Sequence, residues 1–264
     1  MVDPRLKAVA NKIRKEEELV KSMRSARARQ LSMLPNMPHV PGFDFHSLYL
    51  PAANVSGDFY DIIELGDGRF GLTIGDITGH GLEAAILMGM AKKAISIYAR
   101  QNDCPRAVLI AANADLSRDL DDSTFITVSY GILDTKSRIF RGVRAGHNPA
   151  LVVNSAREPR LFEIKPTGMV LGIDRTGRNF NNLCQISEVS LQPGDLLFQY
   201  TDGLVEAPNS ENEDFSDERF QALLMEHADQ PVRVLIDLIE QAWREHIGRR
   251  QQEDDVTFMA VKVL

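Results

Sequence analysis

The stretch that most limits what this chain can become is DFYDIIELGDGRFGLTIGD, residues 58–76. Two β-rich runs flank Gly66, Asp67 and Gly68, a bend of the kind that joins antiparallel strands in a hairpin. The pattern recurs. FDFHSLYLPA alternates as a strand, and STFITVSYGILDTKSRIFRGVRAG reads as a second hairpin turning near residues 134–137. LFEI, CQISEVSL, DLLFQYTD and DVTFMAVKV add further strands. Helical patterns interrupt them in pairs, at 82–99 and 105–119, then at about 217–226 and 231–247. Hairpins in succession with paired helices between them predict an α+β fold. The expected architecture is a mainly antiparallel β-sandwich flanked by helix pairs and preceded by a long N-terminal helix.

That first helix is read from residues 5–34, which lack Gly and Pro and are rich in Lys, Arg, Glu, Ala and Leu. A heptad seam runs through Leu6, Val9, Ile13, Glu16, Val20, Met23, Arg27, Gln30 and Leu34. Glu16, Arg27 and Gln30 interrupt it, and polar seam residues both weaken a coiled coil and set its register. Two readings fit: an amphipathic helix packed on its own domain, or a helical linker that also dimerises the chain. PNMPHVPG then ends the helix with three prolines. The expected division is a helical linker over 1–40, a possible coiled-coil element, and a larger domain over 41–264.

Charge and cysteine usage exclude several classes. With a formal net charge of −7, the chain lacks the basic footprint that nucleic-acid backbones demand. Its two cysteines, Cys104 and Cys184, form no CxxC pair, which points to a reducing compartment. The N-terminus lacks a signal-peptide pattern, and no apolar run approaches the roughly 18 residues of a membrane helix. The expectation is a soluble, cytoplasmic protein that binds neither nucleic acid nor membrane.

Four aspartates share one context. Asp58 in NVSGDFYD, Asp76 in TIGDITGHG, Asp202 in FQYTDGLVE and Asp254 in QQEDDVTFMAV each stand where a β-rich run starts or stops. Singly, each is an ordinary turn residue. Four together ask for a common cause. Two carboxylates about 4 Å apart repel by roughly 4 kcal/mol at an effective dielectric near 20, so a cluster needs protons or cations. Hard divalent cations take oxygen ligands, and two of them sharing a carboxylate activate a water for in-line attack on phosphorus. Spacing alone leaves open whether the four meet.

The ordered motifs carry a resemblance. PAANVSGDFYD, IGDITGHGLEAAILM, FITVSYGILD, AGHNPALVV, LQPGDLLFQYTDGLVEAPN and DDVTFMAV resemble the bacterial SpoIIE-type subfamily of metal-dependent (type 2C-like) Ser/Thr protein phosphatases, over about residues 20–264. The resemblance implies two divalent cations, Mn²⁺ or Mg²⁺. Asp76 would bridge them and position the attacking water, the Ile77 backbone carbonyl and Asp58 would serve one ion, and Asp202 and Asp254 the other. Asp255 matches a position further out. It also implies a phosphorylated protein substrate, an anti-sigma-factor antagonist, and an output domain of two-component-type signalling, with a sensor or receiver domain upstream and a homodimer through the first helix. On this reading the chain is the C-terminal part of a longer protein. Ser56 stands where a glycine is common in that subfamily, and no residue matches the phosphate-binding arginine of the wider family.

His80 and His147 are expected to hold turns rather than to transfer protons. The rival reading from another class is a catalytically silent adaptor that binds a signalling partner. A nucleotide-binding loop is disfavoured because GDITGHG lacks the Lys-Ser/Thr ending and the dinucleotide spacing. A serine hydrolase is disfavoured because no GxSxG occurs.

Overall fold

The computed structural model describes residues 4–264, with side chains from residue 11 onward. It opens with α1 (Pro4–Leu31), followed by strands β1 (Phe43–Leu50), β2 (Phe59–Gly66) and β3 (Arg69–Ile77). Helices α2 (Leu82–Ala99) and α3 (Pro105–Leu116) come next, then β4 (Ile126–Asp134), β5 (Ile139–Ala145), β6 (Ala150–Val153) and β7 (Leu161–Ile164). A short α4 (Arg178–Leu183) leads to β8 (Ser187–Ser190) and β9 (Leu196–Tyr200). Helices α5 (Asp217–His227) and α6 (Val232–Ile247) precede the closing strand β10 (Val256–Val263).

The strands form two five-stranded sheets, ordered β1-β10-β9-β6-β7 and β2-β3-β4-β5-β8. Every named pairing is antiparallel. Alternation along the strands explains how the sheets stack, since successive side chains face opposite ways. In β10, Met259, Val261 and Val263 enter the core between the sheets. Phe258 and Ala260 face the other way, toward α5 and α6. In β4, Val128, Tyr130 and Ile132 face α2 and α3. Three apolar layers thus separate four layers of structure: a helix pair, two sheets and a second helix pair. All of β10 is buried because both its faces are covered.

Two elements escaped the sequence reading. The strand β6 has only four residues, all apolar and buried, too short to show alternation. The helix α4 lies in the polar run RNFNNL; it is anchored by buried Phe180, whose N–H donates to Asp174 Oδ2 at 2.9 Å. The heptad seam also outruns its helix, which ends at Leu31, so Leu34 lies beyond it. The seam side chains of Leu6 and Val9 lie outside the described residues. From residue 11 to 29 the helix is almost wholly exposed, with Ile13 and Val20 each 50% accessible. From residue 11 to 29, α1 is therefore not packed along its own domain.

Candidate active site

The ends of β3 and β9 and the starts of β2 and β10 meet at one end of the sandwich, and each brings an aspartate. Asp58 immediately precedes β2, and Asp76 is the penultimate residue of β3. Past Asp76 the chain reverses through Gly79 and Gly81, at φ +99° and +80°, a region glycine enters without penalty. Thr78 ties this turn down, its hydroxyl donating to the Phe125 carbonyl at 2.5 Å and accepting from the Phe125 N–H at 2.9 Å. His80 does not hold the turn as expected. It is exposed on the cleft wall, and Thr78 performs that task.

Close contacts show which loops adjoin. A Cβ on Gly57 would lie 3.1 Å from the Ile77 carbonyl oxygen and 3.5 Å from Asp76 Oδ1. The Asp58 loop therefore leans on the Asp76–Ile77 strand end. A Cβ on Gly203 would lie 2.0 Å from the Asp255 carbonyl oxygen and 3.3 Å from Asp254 Cβ, so the Asp202–Gly203 turn sits directly against the Asp254–Asp255 loop. No larger residue fits there without moving backbone. Three hydrogen bonds tie these loops together. Thr201 Oγ1 donates to Asp58 Oδ2 at 2.8 Å. Asp255 accepts from Ala52 N at 2.7 Å and from Gly57 N at 3.0 Å, one bond to each carboxylate oxygen. Charge-assisted bonds of this kind are worth about 1.5–3 kcal/mol each. Asp255 is thus a clamp on the loop that carries Asp58.

The electrostatics agree with the contacts. Burial, and then the charge of Asp76, hold the Asp58 carboxyl well above the usual range. Burial also raises Asp76, to about 8, reinforced by the charges of Asp202, Asp254 and Asp255. Asp254 is raised by burial and by Asp202 and Asp255, against a hydrogen bond from the Asp255 N–H that lowers it. All four predicted aspartates and the Ile77 carbonyl are gathered at one end of the sandwich. Among the described residues, no three His, Cys, Asp or Glu side chains are drawn tightly enough to grip a single ion. The convergence is one of loops and fields, with Asp58 and Asp76 close enough to interact directly. An all-oxygen set of crowded, half-buried carboxylates fits hard divalent cations, whose charge would relieve the repulsion.

Around the cluster runs a cleft walled by His80, Glu206, Trp243 and the 251–255 loop. Among the described residues its lining contains no lysine or arginine. His147 is buried behind the site, its Nδ1 2.8 Å from Thr127 Oγ1, and Thr127 pairs with Asp76 across β3 and β4. It is structural, as expected. Sequence reasoning missed Thr201 and Glu206. Thr201 had one weak signal, its place directly before Asp202 at the end of β9.

Comparison with known proteins is consistent with this geometry. The family model described as stage II sporulation protein E matches residues 66–264. Protein IcfG of Synechocystis is 27% identical over 267 residues, covering 90% of this chain and 41% of that protein. The phosphoserine phosphatase RsbU of Bacillus subtilis is 26% identical over 224 residues, covering 84% of this chain and 62% of that protein. The chain thus spans less than two thirds of these relatives. Among solved structures, the SiaA-PP2C domain of Pseudomonas aeruginosa superposes with a TM-score of 0.81 at 22% identity, covering 94% of this chain and 98% of that one. At that identity the likeness shows the fold.

Proposed function

The chain belongs to the stage II sporulation protein E family, and on that premise we propose that it is a metal-dependent phosphatase of phosphoserine and phosphothreonine in proteins. The observation that carries this reading is the gathering of Asp58, Asp76, Asp202 and Asp254, drawn from both sheets, at one end of the sandwich, beside a cleft that Asp254 lines and whose described lining has no lysine or arginine. A phosphate group entering such a cleft needs positive charge from elsewhere. A pair of divalent cations, Mn²⁺ or Mg²⁺, supplies it when bound, together with a water of lowered pKa.

The chain's own residues then divide the work. Asp76, between the two halves, would hold both ions and orient the water they activate. Asp58 and the Ile77 carbonyl would hold one ion, Asp202 and Asp254 the other. Thr201 and Asp255 hold the Asp58 loop against the β3 end, so the ligand set is largely assembled before substrate arrives. Residues 41–264 form the phosphatase domain and 1–40 the linker segment that carries α1. Exposed Ile13 and Val20 on that helix support a homodimer. The short share of each relative's length supports an upstream sensor or receiver domain. The substrate is a phosphorylated anti-sigma-factor antagonist, a reading supported by the likeness to RsbU. Both cysteines are free and no described helix is long and apolar enough to cross a membrane, which supports a cytoplasmic setting.

The test is hydrolysis of p-nitrophenyl phosphate with Mn²⁺, with chelator, and by Asp76→Asn. A rate that requires metal and falls at least about 100-fold in the variant, as loss of a transition-state stabiliser does, is the expected result. No metal binding and no turnover would leave the silent adaptor as the better description.

A further inference from the structure

We infer that Gln30, in the last turn of α1, is a positioning residue for Asp58, so that the acidic site is complete only while the linker helix is docked. The inference rests on the phosphatase reading and adds a part to its machinery from outside the domain that carries the carboxylates. Among described positions 11–31, Gln30 is the single buried side chain, 5% exposed on a helix otherwise open to solvent. Its burial has a specific cause. Nε2 donates to the Ser56 carbonyl at 2.8 Å, and Oε1 accepts from the Ser56 N–H at 3.0 Å. One planar amide therefore satisfies both backbone groups of one residue, as a neighbouring β-strand would.

Ser56 is two residues before Asp58 and passes the constraint on. Its Oγ accepts from the Asp58 N–H at 3.0 Å. The Asp58 carbonyl accepts from Tyr49 Oη at 3.2 Å, and its carboxylate from Thr201. The intervening Gly57 is pinned by Asp255 and lies against the Ile77 carbonyl and Asp76. Every residue of the 56–58 segment is thus fixed, and Ser56 is fixed by the helix. The coupling is sensitive to register. A helix advances about 1.5 Å and turns about 100° per residue, so a one-residue shift of α1 breaks both bonds to Ser56. A buried polar pair has no tolerant intermediate, because unpaired backbone groups there are costly.

The experiment is a Mn²⁺ titration by calorimetry on the whole chain. It compares wild type with Gln30→Met, which keeps length and helix propensity, with Gln30→Glu, which keeps the acceptor and loses the donor, and with Asp76→Asn. Far-UV circular dichroism and thermal unfolding verify that each is folded. Gln30→Met is expected to weaken Mn²⁺ binding at least about tenfold, with Gln30→Glu also impaired. With p-nitrophenyl phosphate, the Mn²⁺ concentration giving half-maximal rate should rise by the same factor, while kcat at saturating Mn²⁺ is largely restored. A merely structural role would lower the unfolding temperature without that split. Equal Mn²⁺ affinity in wild type and Gln30→Met, with Asp76→Asn weakened, overturns the role of Gln30 and leaves the phosphatase reading intact. Equal affinity in wild type and Asp76→Asn overturns both. If Gln30→Met fails to fold, Gln30→Glu decides by the same criteria.

Discussion

His147 is 4% exposed, with its ring between Thr127 and the β9 end, and this placement carries a stability cost in acid. Burial first, and then the nearby Arg144 guanidinium, lower its pKa to about 3, against about 6.5 in an unfolded chain. Between those values the unfolded state holds one more proton than the native state, so stability is full above about pH 6.5 and lost as pH falls. From pH 7 to pH 5 the loss attributable to this residue is about 2 kcal/mol. The crowded aspartates have raised pKa values and act with the opposite sign, so wild type alone does not isolate the histidine. Urea unfolding of wild type and His147→Gln at both pH values does. The stability difference between the two proteins should change by about 2 kcal/mol with pH, and an unchanged difference would contradict the buried neutral imidazole. The sequence context AGHNP marked this residue as structural. Nothing in it revealed the Thr127 bond, because the partner is 20 residues away on another strand.

At the scale of elements, the seam of α1 divides into an exposed stretch and a residue bonded within its own chain. Ile13 and Val20 lie on the seam and are exposed, while Gln30, on the same seam, is already bonded within its own chain. The polar interruptions of the heptad thus differ in kind, and that at Gln30 has an intramolecular purpose. A coiled coil between two copies would use the seam before Gln30. Replacing Ile13 and Val20 together by Asp should convert a dimer to a monomer in light scattering, because charges at core positions of a short coiled coil are not tolerated. A wild-type chain that is itself monomeric at tens of micromolar would count against dimerisation by this helix. The seam was legible in sequence from its period; the bond from Gln30 was not, since Ser56 is 26 residues further along.

Over the whole molecule, the acidic end exists because two sheets stack. Asp58 and Asp76 come from one sheet's strand ends, while Asp202 and Asp254 come from those of the other. Around them, Glu83, Asp121, Glu206 and Glu253 line a cleft whose described lining holds no lysine or arginine; Arg250, outside that lining, pairs with Glu253 at 2.8 Å. Phosphoserine peptides flanked by Lys or Arg should therefore be better substrates than acidic-flanked ones. Two exposed pairs at about 0.3–1 kcal/mol each give roughly 3- to 30-fold in kcat/KM, fading as salt shortens the Debye length. Equal kcat/KM for the two peptides at low salt would rule this out. The sequence by itself determined the hairpins, both helix pairs, the closing strand and the residue types at the four strand ends, because those follow from period, turn chemistry and local composition. Only the tertiary structure decided that the four ends coincide, that Thr201 and Asp255 join the halves, and that Gln30 reaches Ser56. Such contacts join residues 26 to 203 positions apart, and sheet stacking, which no local pattern encodes, is what brings most of them together.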